Sequence, residues 1–420
     1  MNTRSLRALA TLALLLLCSL AMRSAWRAGV GRLRAKDATR TLLKERAEAA
    51  VGVSPADPET RSALAAALYN SGDLAGTVGE LERAASLRPR DYLLWLQLGR
   101  ARDEAGDSEG AVLALREAVR LAPYYSEPRW QYGNVLYRAG RFDEAFGELR
   151  RAAESDPALS PVLLDLAWGT YKGDAAAVQR IVNPQTDAHR LSLARFFVKK
   201  GKTAEALALF RASAGIPQEE QRSLLVELIK NKQFKAAYEV WNAGRGEEPG
   251  RRPAVAAGMT DPGFEGRVSL SEVGYGWRQE RSLAGVRLSL ETKGPRSGSR
   301  CLLIEWSGNS QPESSVISQL VLVEPNARYR LSFFTRAQEV VTGGPPVLVV
   351  TGAGDDEARV LGQSKPLPQA AAEWQEYEAE FTTSGTAEAV LISVRRQSCP
   401  ADPCPIFGRV WLDDFTLSRL

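Results

Sequence analysis

Histidine is almost missing from this sequence: His189 stands alone among 420 residues. Most hydrolase and metalloenzyme chemistry is thereby left without its commonest general base and ligand. Lysine and arginine nowhere cluster with interleaved aromatics, and the net charge of +4 is spread along the chain, so nucleic-acid binding lacks support. Long apolar runs are missing too, with one exception at the N-terminus. With 44% hydrophobic and 25% charged residues, the composition argues against both a disordered chain and a multi-span membrane protein. Cysteine is scarce. Cys18 lies in the apolar run, and Cys301 sits in a strand-like run where it reads as a small buried hydrophobe. Cys399 and Cys404 flank the short turn Pro400-Ala401-Asp402-Pro403. Two cysteines across such a loop can close a disulfide in an oxidising compartment. A metal pair needs further ligands, and none stand nearby in sequence.

Catalytic motifs fail one by one. Lys200-Gly201-Lys202-Thr203 resembles the end of a phosphate-binding loop, but the required upstream glycine position holds Phe196, and the stretch lies in a helical pattern rather than after a strand. Thr351-Gly352-Ala353-Gly354-Asp355-Asp356 is a glycine-rich loop without a following helix. His189 has no serine or cysteine partner nearby and reads as a surface residue. Asp413 and Asp414 are adjacent on a strand-like run, and neighbours on a strand face opposite ways, which argues against a glycosidase pair. The expectation is a protein that is not an enzyme.

Residues 8–22 are apolar and follow Arg4 and Arg7, the pattern of a signal sequence or a short signal anchor. Ser19-Leu20-Ala21 offers a signal-peptidase site, whereas Leu17 before Cys18 speaks against a lipoprotein. Arg23, Arg27, Arg32, Arg34 and Lys36 follow the run, and the positive-inside rule would keep that flank in the cytoplasm. The Cys399/Cys404 pair and the β-rich second half favour export instead. The expected location is the inner membrane with the body in the periplasm or outside. A cleaved, secreted form and a cytoplasmic body remain the alternatives.

An internal period follows. Gly72, Gly106 and Gly140 are spaced by 34 residues, and so are Pro89, Pro123 and Pro157, Ala84, Ala118 and Ala152, and Leu81, Leu115 and Leu149. Each unit reads helix, turn, helix. Small residues at Gly99, Gly133, Ala111 and Ala145 let paired helices approach, glycine takes the left-handed turn, and proline stops the second helix. One hairpin cannot bury its own apolar face, so units must stack. These residues resemble the tetratricopeptide repeat signature, strongly over residues 57–157. About five units are expected, ending near residue 243, with Ala38–Val51 as a lead-in helix. The resemblance implies a docking surface for peptides or partner proteins on the concave face.

Residues 244–257 are rich in glycine, proline and charge and read as a linker. Beyond them come about eight short alternating runs, among them Cys301–Trp306, Tyr329–Thr335 and Arg409–Leu417. Runs at this spacing predict an antiparallel β-sandwich. The fold class is thus a multidomain chain: an N-terminal segment (1–35), a helical repeat array (36–243), a linker, and a β-sandwich of jelly-roll type (258–420). Asp261-Pro262-Gly263-Phe264-Glu265, Gly276-Trp277, Gly298 to Leu302, the run Val323 to Leu331, Trp374 before Tyr377, and the closing Gly408 to Phe415 resemble a carbohydrate-binding module of the galactose-binding-like class.

That resemblance implies exposed aromatic platforms, with Tyr275, Trp277, Trp306 and Trp374 as the candidates. Phe333, Tyr329 and Trp411 are expected to fill the core or pack under a sheet. It also implies a structural calcium between Glu265 and Asp413 or Asp414, carboxylates suiting that ion. The alternative gives Asp414 the bracing of a turn. The expected function is a membrane-anchored envelope scaffold. It docks a protein on the array and binds or faces a polysaccharide, as in exopolysaccharide or O-antigen assembly or export. The alternative is a structural assembly factor that binds no glycan.

Overall fold

The computed structural model describes residues 3–243, 258–266, 268, 273–279, 283–309, 311–312, 314–354, 359–399 and 403–420. The predicted linker at 244–257 lies outside them. The chain falls into two compact units, Met1–Asn183 and Pro184–Leu420. The division runs through the helical region, because the last two hairpins go with the sandwich rather than with the earlier ones.

Unit one begins with α1 (Thr3–Thr41) and α2 (Lys44–Val53). Instead of one lead-in helix over Ala38–Val51, the chain breaks at Leu42, whose φ of 54° is incompatible with a right-handed helix. The hairpins that follow are α3 (Pro58–Asn70) with α4 (Leu74–Leu87), α5 (Tyr92–Glu104) with α6 (Ser108–Leu121), α7 (Ser126–Arg138) with α8 (Phe142–Ser155), and α9 (Ser160–Thr170) with α10 (Ala175–Val182). The recurring residues do the same work in each. Asp73 and Asp107 cap α4 and α6 by accepting from the Gly76 and Gly110 amides at 2.8 and 2.9 Å, each worth about 1 kcal/mol. Gly72, Gly106 and Gly140 take φ of 81°, 83° and 76° between paired helices. A Cβ on Gly99 would sit 2.5 Å from Leu115 Cγ, and one on Gly133 would sit 2.7 Å from Leu149 Cγ. The absent side chains are therefore what lets α5 meet α6 and α7 meet α8. Leu115, Leu149, Ala84, Ala118 and Ala152 are fully buried.

The last third of α1 belongs to this core. Ala35 and Ala38 pack with Ala47, Ala50, Ala63, Leu64, Ala67 and Leu68 from α2 and α3. Arg32 Nε lies 2.8 Å from the buried Asp57 carboxylate. The earlier part of the same helix is bare: Leu12, Leu14, Leu15, Leu16, Leu17, Leu20 and Met22 are exposed. Among the described residues α1 alone is long and apolar enough to cross a membrane.

Unit two opens with α11 (Asp187–Lys199) and α12 (Thr203–Arg211), then α13 (Gln218–Lys230) and α14 (Phe234–Ala243). His189 is exposed at the start of α11. Ten strands follow among the described residues: β1 (Arg278–Gln279), β2 (Val286–Glu291), β3 (Cys301–Asn309), β4 (Ile317–Leu322), β5 (Arg328–Thr342), β6 (Pro346–Gly352), β7 (Val360–Gln363), β8 (Ala371–Thr382), β9 (Ala389–Arg396) and β10 (Pro405–Arg419). They form two five-stranded antiparallel sheets, ordered β1-β4-β9-β6-β7 and β2-β3-β10-β5-β8. The sheets close on one apolar core that includes Phe264, Leu302, Ile304, Leu331, Phe333, Val350, Ile392, Leu412 and Phe415.

Candidate functional site

The alternation of β3 fixes what the second sheet shows to solvent. Leu302, Ile304 and Trp306 belong to the core, so Leu303, Glu305 and Ser307 face the other way. Register then lays out rows across the outer face. Glu305 stands between Arg287 on β2 and Arg409 on β10, and Arg409 stands beside Gln338 on β5. In the next row Ser289, Leu303, Trp411 and Arg336 are neighbours. On the other side, Ser307 and Val341 flank Phe407.

Arg409 Nε donates to Glu305 at 2.8 Å. Phe407 is 48% exposed, and Val341 beside it is also exposed. Arg287, Glu305, Ser307, Gln338, Phe407 and Arg409 surround a cleft of about 770 Å³ with Gly285, Val286, Trp306 and Glu339 at its margins. Gly408 reaches φ 108° against the Glu339 carbonyl, where a Cβ would clash, and the pairing of β10 with β5 shifts register there. The arrangement offers one exposed aromatic ring and several hydrogen-bonding side chains, one pair of them mutually fixed.

Three of the four aromatic residues expected to form a sugar platform are buried. Tyr275 is buried against Tyr238 and Trp241, with centroids 4.9 and 5.6 Å away, and its hydroxyl donates to the Phe234 carbonyl at 2.5 Å. Burial pushes the phenol pKa far up. Trp277 is buried against Phe264 and Phe415, and its indole donates to the Asp261 carbonyl at 2.9 Å. Trp306 is buried on the core side of β3. These three therefore serve packing rather than sugar contact. Trp374 is partly exposed on the second sheet, with the Arg336 guanidinium 5.0 Å from its ring and 4.7 Å from that of Trp411. Arg287, Glu305, Gln338, Phe407 and Arg409 were not singled out from the sequence. The available signal was the period-two alternation of Cys301–Trp306, carried across to the neighbouring strands.

The predicted calcium ligands do not converge. Glu265 accepts from the Ser299 amide and hydroxyl at 2.8 and 2.5 Å and from the Arg300 amide at 3.1 Å. Burial pushes its carboxyl up, but these donors outweigh burial and leave it below its ordinary value. Asp413 is fully buried and accepts from the amides of Arg296, Ser297 and Asp414. Burial pushes its carboxyl up to about 6. Asp414 pairs with the Arg296 guanidinium at 2.5 Å. Among the described residues no group of three histidine, cysteine, aspartate or glutamate side chains is placed to hold a metal. The two aspartates do address one loop, against the expectation for strand neighbours. Asp414 has φ 50°, and β10 shifts register between Asp413 and Thr416.

Cys399 and Cys404 form a disulfide with Cα atoms 5.7 Å apart. Buried Arg396 donates to the Cys404 and Gly344 carbonyls at 2.9 and 3.3 Å. Cys301 is buried, which pushes its thiol up to about 11.

In unit one, side chains of successive first helices are bonded in a row. Ser62 donates to Gln97 at 3.2 Å and Tyr69 to Glu104 at 2.8 Å. Arg100 meets Glu127 at 2.6 Å, Arg138 meets Asp103, and Tyr137 meets Thr170 at 2.9 Å. Tyr124 and Tyr125 are exposed between α6 and α7.

Residues 92–125 match the tetratricopeptide repeat family. The peroxisomal targeting signal receptor of Saccharomyces cerevisiae is 30% identical over 108 residues, 26% of this chain and 18% of that protein. The receptor of Eremothecium gossypii is 25% identical over 114 residues, 27% of this chain and 20% of that one. The chain thus spans about a fifth of the length of these curated relatives. Similar solved structures include MamA (from residue 41) of Desulfovibrio magneticus RS-1, 16% identical with a TM-score of 0.29 over 44% of this chain and 92% of that one. A CBM4 structure is 15% identical with a TM-score of 0.30, covering 39% of this chain and 100% of that one. The tetratricopeptide repeat marks the helical array as a scaffold for protein–protein interaction.

Proposed function

We propose that this chain is a non-catalytic envelope scaffold, held at a membrane by α1, that docks a protein on its hairpin array and binds polysaccharide on the outer face of its second sheet. The carrying observation is the cleft beside Phe407. An exposed ring suits the C–H face of a sugar, and Arg287, Gln338 and the fixed Glu305–Arg409 pair supply partners for hydroxyls. The likeness of the β-rich half to a carbohydrate-binding module, and the notion of a role in exopolysaccharide or O-antigen assembly or export, belong to this reading. The intact folded chain in detergent is expected to be retarded in gels containing such a polysaccharide. Free migration through every polysaccharide tried would defeat the glycan half. A purely structural role, with the sandwich contacting protein, is favoured by a different observation: Trp277 is buried and Trp374 lies under Arg336.

Two features bear on the side of the membrane. The Cys399–Cys404 disulfide suits an oxidising compartment. Against it, the basic residues after the apolar run keep their weight as a cytoplasmic signal, and Arg32, though paired with the buried Asp57, has its own side chain 51% exposed. A C-terminal alkaline phosphatase fusion is expected to be active and the matching cytoplasmic reporter silent. The reverse pattern would put the body in the cytoplasm and remove the envelope-polysaccharide role.

A further inference from the structure

Asp261, Glu265, Asp413 and Asp414 are spread around residues 292–300, the connection from β2 to β3. Calcium requires about six to eight oxygen atoms whose lone pairs meet at one point. Here the oxygens already accept from the chain's own donors. Asp261 accepts from the amides of Glu265 and Gly266 at 2.7 and 2.9 Å. Glu265 is taken up by Ser299 and Arg300, and Asp413 by three amides, with Arg296 the nearest at 2.8 Å.

The positive charge at this place is supplied by the chain itself. Arg296 Nη1 lies 2.5 Å from Asp414 Oδ2, and Ser297 Oγ donates to the other oxygen at 2.5 Å. The Arg296 guanidinium rests on the Phe334 ring, 3.4 Å from its centroid. One residue thus neutralises Asp414 through its side chain and satisfies Asp413 through its amide. We infer that Arg296 holds the position a structural calcium would take, and that this sandwich keeps its β2–β3 connection closed without metal. A divalent ion entering here would have to displace a guanidinium stacked on a ring, and would meet amide hydrogens where it needs lone pairs. The inference stands whether or not the outer sheet face binds glycan.

Thermal unfolding of the intact chain, in millimolar calcium chloride and again in EDTA, tests this. The wild-type midpoints are expected to agree within about 1 °C, and equilibrium dialysis is expected to find no bound calcium. Arg296→Ala is expected to unfold several degrees lower in both buffers. Arg296→Lys, which keeps the charge but loses the planar fork, is expected to fall between the two and covers the case in which the alanine variant does not fold. A wild-type midpoint raised several degrees by calcium, one bound equivalent in dialysis, or a lysine variant that matches wild type in EDTA only when calcium is restored would each overturn the inference.

Discussion

Leu115→Ala is expected to cost the Met1–Asn183 unit about 2–5 kcal/mol, lowering its unfolding midpoint by roughly 5–20 °C. Leu115 is fully buried and packs with Leu96, Val112, Tyr132, Val135 and Leu136, so its removal opens a cavity shared by α5, α6 and α7. Stacked hairpins make such a loss local at first and then cooperative, since each hairpin is stabilised mainly by its neighbours. Gly99→Ala carries a complementary expectation. Alanine is the better helix former, yet its Cβ would fall 2.5 Å from Leu115 Cγ, so the variant is expected to be less stable by about 1–3 kcal/mol. In the double variant the new methyl enters the space the leucine vacates, and the combined loss is expected to be smaller than the sum. Denaturant titrations of the four proteins check this. Strict additivity, or a loss below about 1 kcal/mol for Leu115→Ala, would mean that the close helix approach is not what holds the array together.

The second large effect concerns the seam between the last hairpin and the sandwich. Tyr275→Ala is expected to destabilise the Pro184–Leu420 unit by about 3–5 kcal/mol. The ring fills a pocket made by Tyr238 and Trp241, and Gly274 at φ 128° brings the backbone hard against the Trp241 indole. Tyr275→Phe removes only the hydroxyl and its hydrogen bond to the Phe234 carbonyl, and is expected to cost about 0.5–1.5 kcal/mol. Polysaccharide retardation per folded molecule is expected to be unchanged in both variants. A Tyr275→Ala protein as stable as wild type but no longer retarded would restore Tyr275 as a sugar contact.

The sequence was most readable where its residues recur. The 34-residue spacing of Gly72, Leu81, Ala84 and Pro89 with their later counterparts located the hairpins, because each residue type answers a fixed demand of the turn or the contact. The lead-in was harder: α1 carries no repeat, and nothing in its composition shows that Ala35 and Ala38 already belong to the array core. Strands with an apolar inner face and a short outer one were placed well. β5 and β8 run longer than expected because their extensions carry Arg336, Gln338, Trp374 and Glu376 on faces where polarity hides the strand signal. β1 and β7 are two and four residues long, too short for any periodicity to register. The burial of Tyr275, Trp277 and Trp306 is hidden in the sequence for a related reason. Composition marks tryptophan and tyrosine as sugar platforms and core fillers alike, and only the register of β3 against β2 and β10 separates Trp306, facing in, from Phe407, facing out.

Affinity electrophoresis of the intact folded chain, comparing wild type with Phe407→Ala, Gln338→Ala and the array variant Glu104→Ala, tests the central claim most directly. The account predicts that wild type and Glu104→Ala are retarded alike by an envelope polysaccharide, and that combining the two sheet-face substitutions weakens binding by at least about tenfold, or ~1.4 kcal/mol. Retardation that survives loss of both Phe407 and Gln338, in proteins with native circular dichroism, would contradict the assignment of the second sheet's outer face as the glycan surface.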